Sequence, residues 1–221
     1  MTQIKGQDET VIILDFGSQY AQLIARRVRE KNVYSLLARP DVSIEEIRAH
    51  NPKGIIFTGG PSSIYEDGAP RCNPELLELG IPILGICYGM QMSANLLGAE
   101  IQPADHREYG RANLNITNPG ELLKNIPTDT TVWMSHGDQV KDPGGDFEIL
   151  ASTPTCPFAA VKHKTKPFYG VQFHPEVTHT PHGGDLFDNF LYGICGCKGL
   201  WEMSSFINAV VEQVREQVGP D

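Results

Sequence analysis

The chain has no apolar run approaching the roughly 20 residues that span a bilayer. Its first ten residues, Met1 to Thr10, are polar and lack the apolar core of a signal peptide. Cysteine is scarce: Cys72, Cys87, Cys156, Cys195 and Cys197 are odd in number and irregularly spaced, which argues against a disulfide framework. Positive charge is in deficit too. Eighteen Lys and Arg face 27 Asp and Glu, and the formal net charge of -9 speaks against general nucleic-acid binding or attachment to an anionic membrane. A local pocket for one nucleotide remains compatible with that balance. Internal repeats and low-complexity tracts are also missing. These absences point to a reducing cytoplasm and to no nucleic-acid or membrane partner.

What is present is ordinary for a soluble globular protein: 221 residues, 40% hydrophobic and 20% charged, enough for one large domain or one domain with an extension. Val11 to Asp15 is an apolar run ending in an acid, followed by a turn at Phe16-Gly17-Ser18-Gln19. The next segment sets Leu23, Ile24 and Val28 on one stripe and Arg26, Arg27, Arg29 and Lys31 on the other, as an amphipathic helix does. Val33–Leu37 and Gly54–Thr58 predict further strands, and Ser43 with Glu46 three residues on forms a capping box for the helix between them. A helix over about Asn73 to Leu79 leads into an Ile81–Ile86 strand, and another helix runs from Cys87 to about Leu97. Alternating strands and helices specify an open, mostly parallel α/β sheet covered on both faces.

The second half differs. Arg111–Thr117, Thr130–Met134, Phe147–Leu150, Phe158–Val161 and Phe168–Phe173 are strand candidates on short Pro-, Gly- and Asp-rich connections, which predicts additional antiparallel hairpins. A helix opens at Gly184-Asp185 with Leu186, Phe187, Phe190 and Leu191 as its stripe. After a glycine-rich break at Cys195–Gly199, the residues Met203, Phe206, Ile207, Val210, Val211, Val214 and Val218 form a long apolar stripe. That helix either packs on its own domain or connects to another.

The chemistry concentrates at Gly85-Ile86-Cys87-Tyr88-Gly89. A buried strand that ends in a reactive side chain flanked by glycines, just before a helix, has the pattern of a nucleophile elbow, here with sulfur in place of oxygen. The glycines relieve a crowded turn, and the helix N-terminus favours a thiolate. Most free cysteines merely fill space, so the elbow needs partners. In Phe173-His174-Pro175-Glu176, His174 and Glu176 share one face of an extended chain, and Pro175 holds His174 in that region. This supplies a base and a group to orient it. Oxyanion donors are available from the N–H of Tyr88 and from the Gly59-Gly60 turn, which ends the preceding strand at the same sheet edge. Alone, each piece has a plainer reading as a core residue, a surface residue or a tight turn; their conjunction at strand ends favours catalysis.

Three stretches together, Gly85–Gln91, Thr58-Gly59-Gly60-Pro61-Ser62 and Phe173–Val177, resemble the class I, triad-type glutamine amidotransferases over about the first 200 residues. Within that family, Asp15–Tyr20, Trp133–Asp138 and Ile194–Cys197 look like the branch that serves GMP synthesis, as do Tyr88 and Met90, where relatives often carry Leu and His. The resemblance implies a flavodoxin-like fold and a glutaminase with the triad Cys87, His174 and Glu176. It also implies an oxyanion hole of Gly59, Gly60 and Tyr88, and contacts to substrate L-glutamine from Gln91 and from a loop carrying Ser135, Gly137 and Asp138. No cofactor or metal is implied in residues 1–200. ATP and Mg²⁺ would act in an ATP-pyrophosphatase domain that turns xanthosine monophosphate into GMP. Residues 201–221 would be the connector to that domain, in a full-length protein that forms a homodimer.

Departures and rivals complete the expectations. Pro181 and His182 stand where a plainer polar pair is expected, and no chemistry attaches to them. Cys195-x-Cys197 is tighter than the usual two-to-four residue spacing of structural zinc sites and lacks a second ligand pair. The rival functions are a free-standing amidotransferase subunit or γ-glutamyl hydrolase of the same fold, a non-catalytic docking module, and a cysteine protease.

Overall fold

A computed structural model describes residues 6–204 and Val211. Apart from Met203, Ser204 and Val211, the predicted 203–218 connector helix lies outside the described residues. One sheet of nine strands organises the chain in the order β2-β1-β3-β4-β9-β8-β7-β5-β6. The parallel part comprises β1 (Val11–Leu14), β2 (Ser35–Ala38), β3 (Gly54–Phe57), β4 (Ile83–Ile86) and β9 (Phe168–Val171). β5 (Glu100–Ile116), β6 (Asp129–Asp142), β7 (Phe147–Ser152) and β8 (Ala160–His163) extend it with antiparallel pairings. The fold class expected from the sequence, a mostly parallel sheet with antiparallel additions, is the one found.

The period-2 alternation of the strands separates two cores. Val11 and Ile13 face α1 (Ala21–Glu30) through Ile24 and Val28, along with α4 (Gly183–Asp188) through Leu186 and Phe187. Ile12 and Leu14 face the opposite way, toward Ile44 and Ile47 of α2 (Ile44–His50) and Met90 and Met92 of α3 (Tyr88–Leu96). β1, β3, β4 and β9 are buried along their whole length, which explains their near-continuous apolar sequence. The predicted cap of α2 forms, with the Ser43 side chain accepting from the Glu46 N–H at 3.1 Å.

Three expectations change in detail. The segment predicted as a helix over 73–79 is a 3₁₀ turn, Pro74–Glu78, capped by the Asn73 side chain. β5 and β6 are far longer than their predicted cores, and pair as a hairpin broken by an irregularity between Pro103 and Glu108. Ser135–Asp138, expected as a loop, therefore lies within β6 opposite that irregularity, with Tyr109 paired to Ser135 and Glu108 to His136. Finally, α4 passes directly into a π-helical turn, Asn189–Ile194.

Candidate active site

The carboxyl ends of β4 and β9 are neighbours, in register from Ile83 opposite Phe168 to Ile86 opposite Val171. β4 delivers Cys87 and β9 delivers His174 to one edge. The Cys87 N–H continues the ladder to the Val171 carbonyl at 2.8 Å, and then the chain turns sharply: Cys87 has φ 51° and ψ −109°. Such a conformation is strained for a residue with a Cβ and is held only where its surroundings over-determine it. The flanking glycines make it achievable. A Cβ on Gly85 would lie 2.8 Å from Met90 backbone atoms, and one on Gly89 would lie 2.6 Å from the Phe57 carbonyl oxygen. The Gly89 N–H bonds the Thr58 carbonyl at 3.0 Å, pinning the start of α3 against the end of β3. The sharp strand-to-helix turn expected at Cys87 is present.

On one side His174 stands next to Cys87, whose sulfur favours the charged imidazole. On the other, its Nδ1 lies 2.7 Å from Glu176 Oε1. Burial alone would push the imidazole down, but the bonds to Cys87 and Glu176 outweigh it and raise His174 from 6.5 to about 10. Glu176 is fully buried, and its second oxygen, Oε2, has no hydrogen-bond partner among the described residues. The backbone here is braced from two directions. Arg27 of α1 donates from Nε to the Glu176 carbonyl at 2.9 Å, and the His174 N–H donates to the Trp133 carbonyl of β6 at 2.9 Å. The Thr180 hydroxyl closes the brace by donating to the His174 carbonyl (2.7 Å) and accepting from the Trp133 N–H (3.0 Å).

A cavity of about 800 Å³ opens over these residues. Cys87, Tyr88, Gly60, His174, Gln91 and the Ser135–Asp138 stretch all line it, whereas Gly59 and Glu176 do not. Gly59 instead packs beneath His174, where a Cβ would meet the imidazole at 3.2 Å, and a Cβ on Gly60 would meet the Phe16 carbonyl at 2.6 Å. Tyr88 opens α3, so its N–H belongs to the first turn and has no intrahelical acceptor. Its hydroxyl is fixed elsewhere, donating to the Pro70 carbonyl at 2.7 Å. Gln91 is nearly buried, and its amide nitrogen donates to the Asp138 carbonyl at 2.7 Å and to Gln172 Oε1 at 3.1 Å.

Sequence reasoning missed four residues at the site. Tyr20 sets the edge of its ring on the His174 imidazole, with centroids 5.4 Å apart. Gln172, two residues before the base, is fully buried with its amide nitrogen 3.6 Å from the Cys87 sulfur. Glu108, half-buried, and His136, buried, pair with Oε2 and Nε2 3.1 Å apart. Position gave a hint for Gln172, which sits one strand residue ahead of Phe173-His174. Glu108 had none, since only the β5–β6 register brings it to His136.

Glu108, His136 and Cys156 are the metal-type donors that come closest together among the described residues, their ligand atoms all within 4.8 Å. Their existing bonds speak against a metal. Burial pushes the Glu108 carboxyl up, but bonds from His136, Thr155 and Thr153 hold it below the ordinary range. Burial, with Glu108 close by, pushes the Cys156 thiol up to about 12. Three side-chain bonds already engage the carboxylate, on both of its oxygens.

The sequence from residue 12 to 194 matches the family model for class-I glutamine amidotransferases. The chain belongs to that family. It is 51% identical over 219 residues to the glutamine-hydrolysing GMP synthase of Bacillus cereus and 50% identical over 219 residues to that of Bacillus thuringiensis. Each of these alignments takes in 99% of this chain and 42% of the relative, so the chain spans about two fifths of the length of the curated relatives it matches. Among solved structures, a Thermoplasma acidophilum protein provisionally assigned as one subunit of a GMP synthase superposes with a TM-score of 0.77 at 33% identity, covering 85% of this chain and 94% of that one. A glutamine amidotransferase from Thermotoga maritima superposes with a TM-score of 0.68 at 19% identity, covering 85% and 98%, and shares the fold. As a class-I amidotransferase, the chain sets the Cys87 turn, His174 and the cavity at one edge of its sheet. No helix of the described residues is long and apolar enough to cross a membrane.

Proposed function

We propose that this chain is the glutaminase unit of a GMP-forming enzyme, hydrolysing L-glutamine and passing on the ammonia. The geometry that carries the proposal is the line from Cys87 through His174 to Glu176 at the mouth of the cavity, with its 2.7 Å base–carboxylate bond. The Cys87 thiol gives its proton to His174 as its sulfur attacks the side-chain amide carbon of glutamine, and the carbonyl π electrons move onto oxygen. That oxyanion sits between the N–H groups of Gly60 and Tyr88, with Gly59 shaping the turn beneath the base. His174 protonates the amide nitrogen as the C–N bond breaks, releasing ammonia and leaving a thioester. It then takes a proton from water, whose hydroxide attacks the thioester; glutamate leaves and the thiol is restored. Glu176 holds the imidazole in the tautomer that both steps need.

Gln91, Ser135, Gly137 and Asp138 take the substrate. With both amide hydrogens of Gln91 committed to Asp138 and Gln172, its Oε1 is the atom left to accept from a ligand. The identity to Bacillus GMP synthases supports xanthosine monophosphate as the eventual acceptor of the ammonia. ATP and Mg²⁺ belong to the domain that activates that acceptor, with residues 1–200 as the amidotransferase domain and 201–221 as the connector, in a homodimeric protein. A reducing cytoplasm suits the free thiols of Cys72, Cys87, Cys156, Cys195 and Cys197. The Thermoplasma relative, nearly all of whose length this chain covers, favours a second reading in which such a unit works as a separate polypeptide. The test is labelling with a glutamine-analogue electrophile. A single adduct mapped by mass spectrometry to Cys87, blocked by glutamine, is expected; an adduct elsewhere, or none, refutes the proposal.

A further inference from the structure

Resting on the glutaminase reading, we infer that Gln172 is a further catalytic residue, a hydrogen-bond donor to the Cys87 sulfur, locked in its donor orientation by a relay that ends at Glu108. The orientation of each amide follows from acceptors that cannot donate. The Asp138 carbonyl is an acceptor only, so the group of Gln91 that faces it at 2.7 Å must be its NH₂. The same NH₂ faces Gln172 at 3.1 Å, so Gln172 must present its oxygen there. Its own NH₂ is then left to face the sulfur, at 3.6 Å. Reversing Gln172 would set two NH₂ groups against each other in a buried site, where an unmade hydrogen bond is expensive.

The far end of the relay is equally constrained. The Asp138 carbonyl also accepts from His136 Nδ1 at 3.0 Å, so Nδ1 carries a proton. His136 Nε2 faces Glu108 Oε2 at 3.1 Å, which ties the ring to the carboxylate and holds Nδ1 toward the Asp138 carbonyl. Thr153 and Thr155 complete the shell of Glu108. The anchor fixes the Asp138 carbonyl, the carbonyl fixes Gln91, and Gln91 fixes Gln172. The sulfur meets the Ser135 carbonyl at 3.5 Å on another side, which a thiol can satisfy by donation but a thiolate cannot. Of its neighbours, His174 and Gln172 are therefore the side chains able to donate to a thiolate.

Gln172 does not line the cavity, so the donor role predicts a change in the reactivity of the sulfur without a change in substrate affinity. The experiment measures the rate at which iodoacetamide alkylates Cys87 of the 221-residue chain at neutral pH, read by peptide mass spectrometry. Burial raises the Cys72, Cys156, Cys195 and Cys197 thiols above their ordinary value, so fast labelling reports Cys87. Gln172→Glu keeps the shape and replaces the donor by an acceptor; Gln172→Met keeps the bulk and removes both. Each should slow alkylation about tenfold to a hundredfold, the range for losing a hydrogen bond to a charged group, with glutamine protection of the labelling unchanged within twofold. Gln91→Met, which frees Gln172 to turn, should slow it less, and should add nothing in the Gln172→Met background. Alkylation of folded Gln172→Met within twofold of the parent overturns the inference. If that variant does not fold, unaltered alkylation in Gln91→Met overturns it. The two readings fail separately: slowed iodoacetamide labelling without any glutamine protection or hydrolysis in the parent would sink the glutaminase assignment and leave the donor standing.

Discussion

Glu176→Gln replaces one oxygen by NH₂ and changes almost nothing in shape, yet the surroundings of Glu176 decide how the new amide must sit. Glu176 Oε1 lies 2.7 Å from His174 Nδ1, while Oε2 has no partner among the described residues. An amide placed with NH₂ in the Oε2 position would bury two unsatisfied donors, whereas NH₂ toward Nδ1 leaves the oxygen where an unpartnered oxygen already stands. The second orientation is favoured by the cost of an unmade hydrogen bond, about 1–3 kcal/mol. It puts a donor against Nδ1, which forces the ring proton onto Nε2, the nitrogen that must accept from Cys87. The expected result is a fall of about 10³- to 10⁴-fold in the rate of Cys87 labelling by the glutamine-analogue electrophile, the scale on which a wrong imidazole tautomer disables a serine-protease triad. Half-saturation by the analogue should hold within about twofold, because Glu176 does not reach the cavity. Glu176→Asp, charged but shorter, should recover part of the rate. The assay is single-turnover labelling at saturating analogue, with thermal melting as a fold control. A Glu176→Gln variant that labels within tenfold of the parent would refute the orienting role.

The surroundings of His174 make stability depend on pH. His174 is raised to about 10 from 6.5, so its imidazolium stabilises the fold in full below about pH 6.5 and loses that contribution as the pH climbs toward 10. Urea unfolding should show stability falling across that window in the parent and a flatter profile in Cys87→Ala, which lacks one of the two bonds responsible; equal slopes would contradict the assignment. Gly60→Ala should cut labelling by roughly two to three orders of magnitude, the usual cost of losing one oxyanion donor. Its Cβ would sit 2.6 Å from the Phe16 carbonyl and push the Gly60 N–H out of place. Gly89→Ala should act mainly on stability, lowering it by about 1–3 kcal/mol as overpacking does, since its Cβ would fall 2.6 Å from the Phe57 carbonyl; an unchanged melting temperature would count against the elbow.

Much of this site was legible because it is built from strand ends. Apolar runs marked β1, β3, β4 and β9, and the residues just past them, Gly59-Gly60, Cys87 and His174–Glu176, were the candidates that the structure brings to one edge. Local sequence carried that signal, since a buried parallel strand is a short continuous run and its carboxyl end is where ligands bind. The hairpin of β5 and β6 was the opposite case. Its length comes from cross-strand pairing, and Ser135–Asp138, a loop on the family resemblance, is polar throughout, so its sequence hides the alternating burial that β6 carries as far as His136. The Glu108–His136 pair depends on a register set across an irregular stretch, which no local pattern encodes. The 3₁₀ turn at Pro74–Glu78 was misjudged for another reason: five residues between an Asn cap and the β4 approach are too few for a stable α-helix.

β9 is the last of the nine strands along the chain, yet it is inserted between β4 and β8 in the middle of the sheet. The sulfur is thus in place some 85 positions before the chain supplies its base's neighbour, Gln172. During synthesis, an emerging polypeptide would carry the thiol on a half-built edge, with no imidazole to activate it and no strand to receive the Cys87 N–H. Insertion of β9 into the central gap gives the Cys87 N–H its acceptor, the Val171 carbonyl, and brings the Gln172 amide to the sulfur in one event.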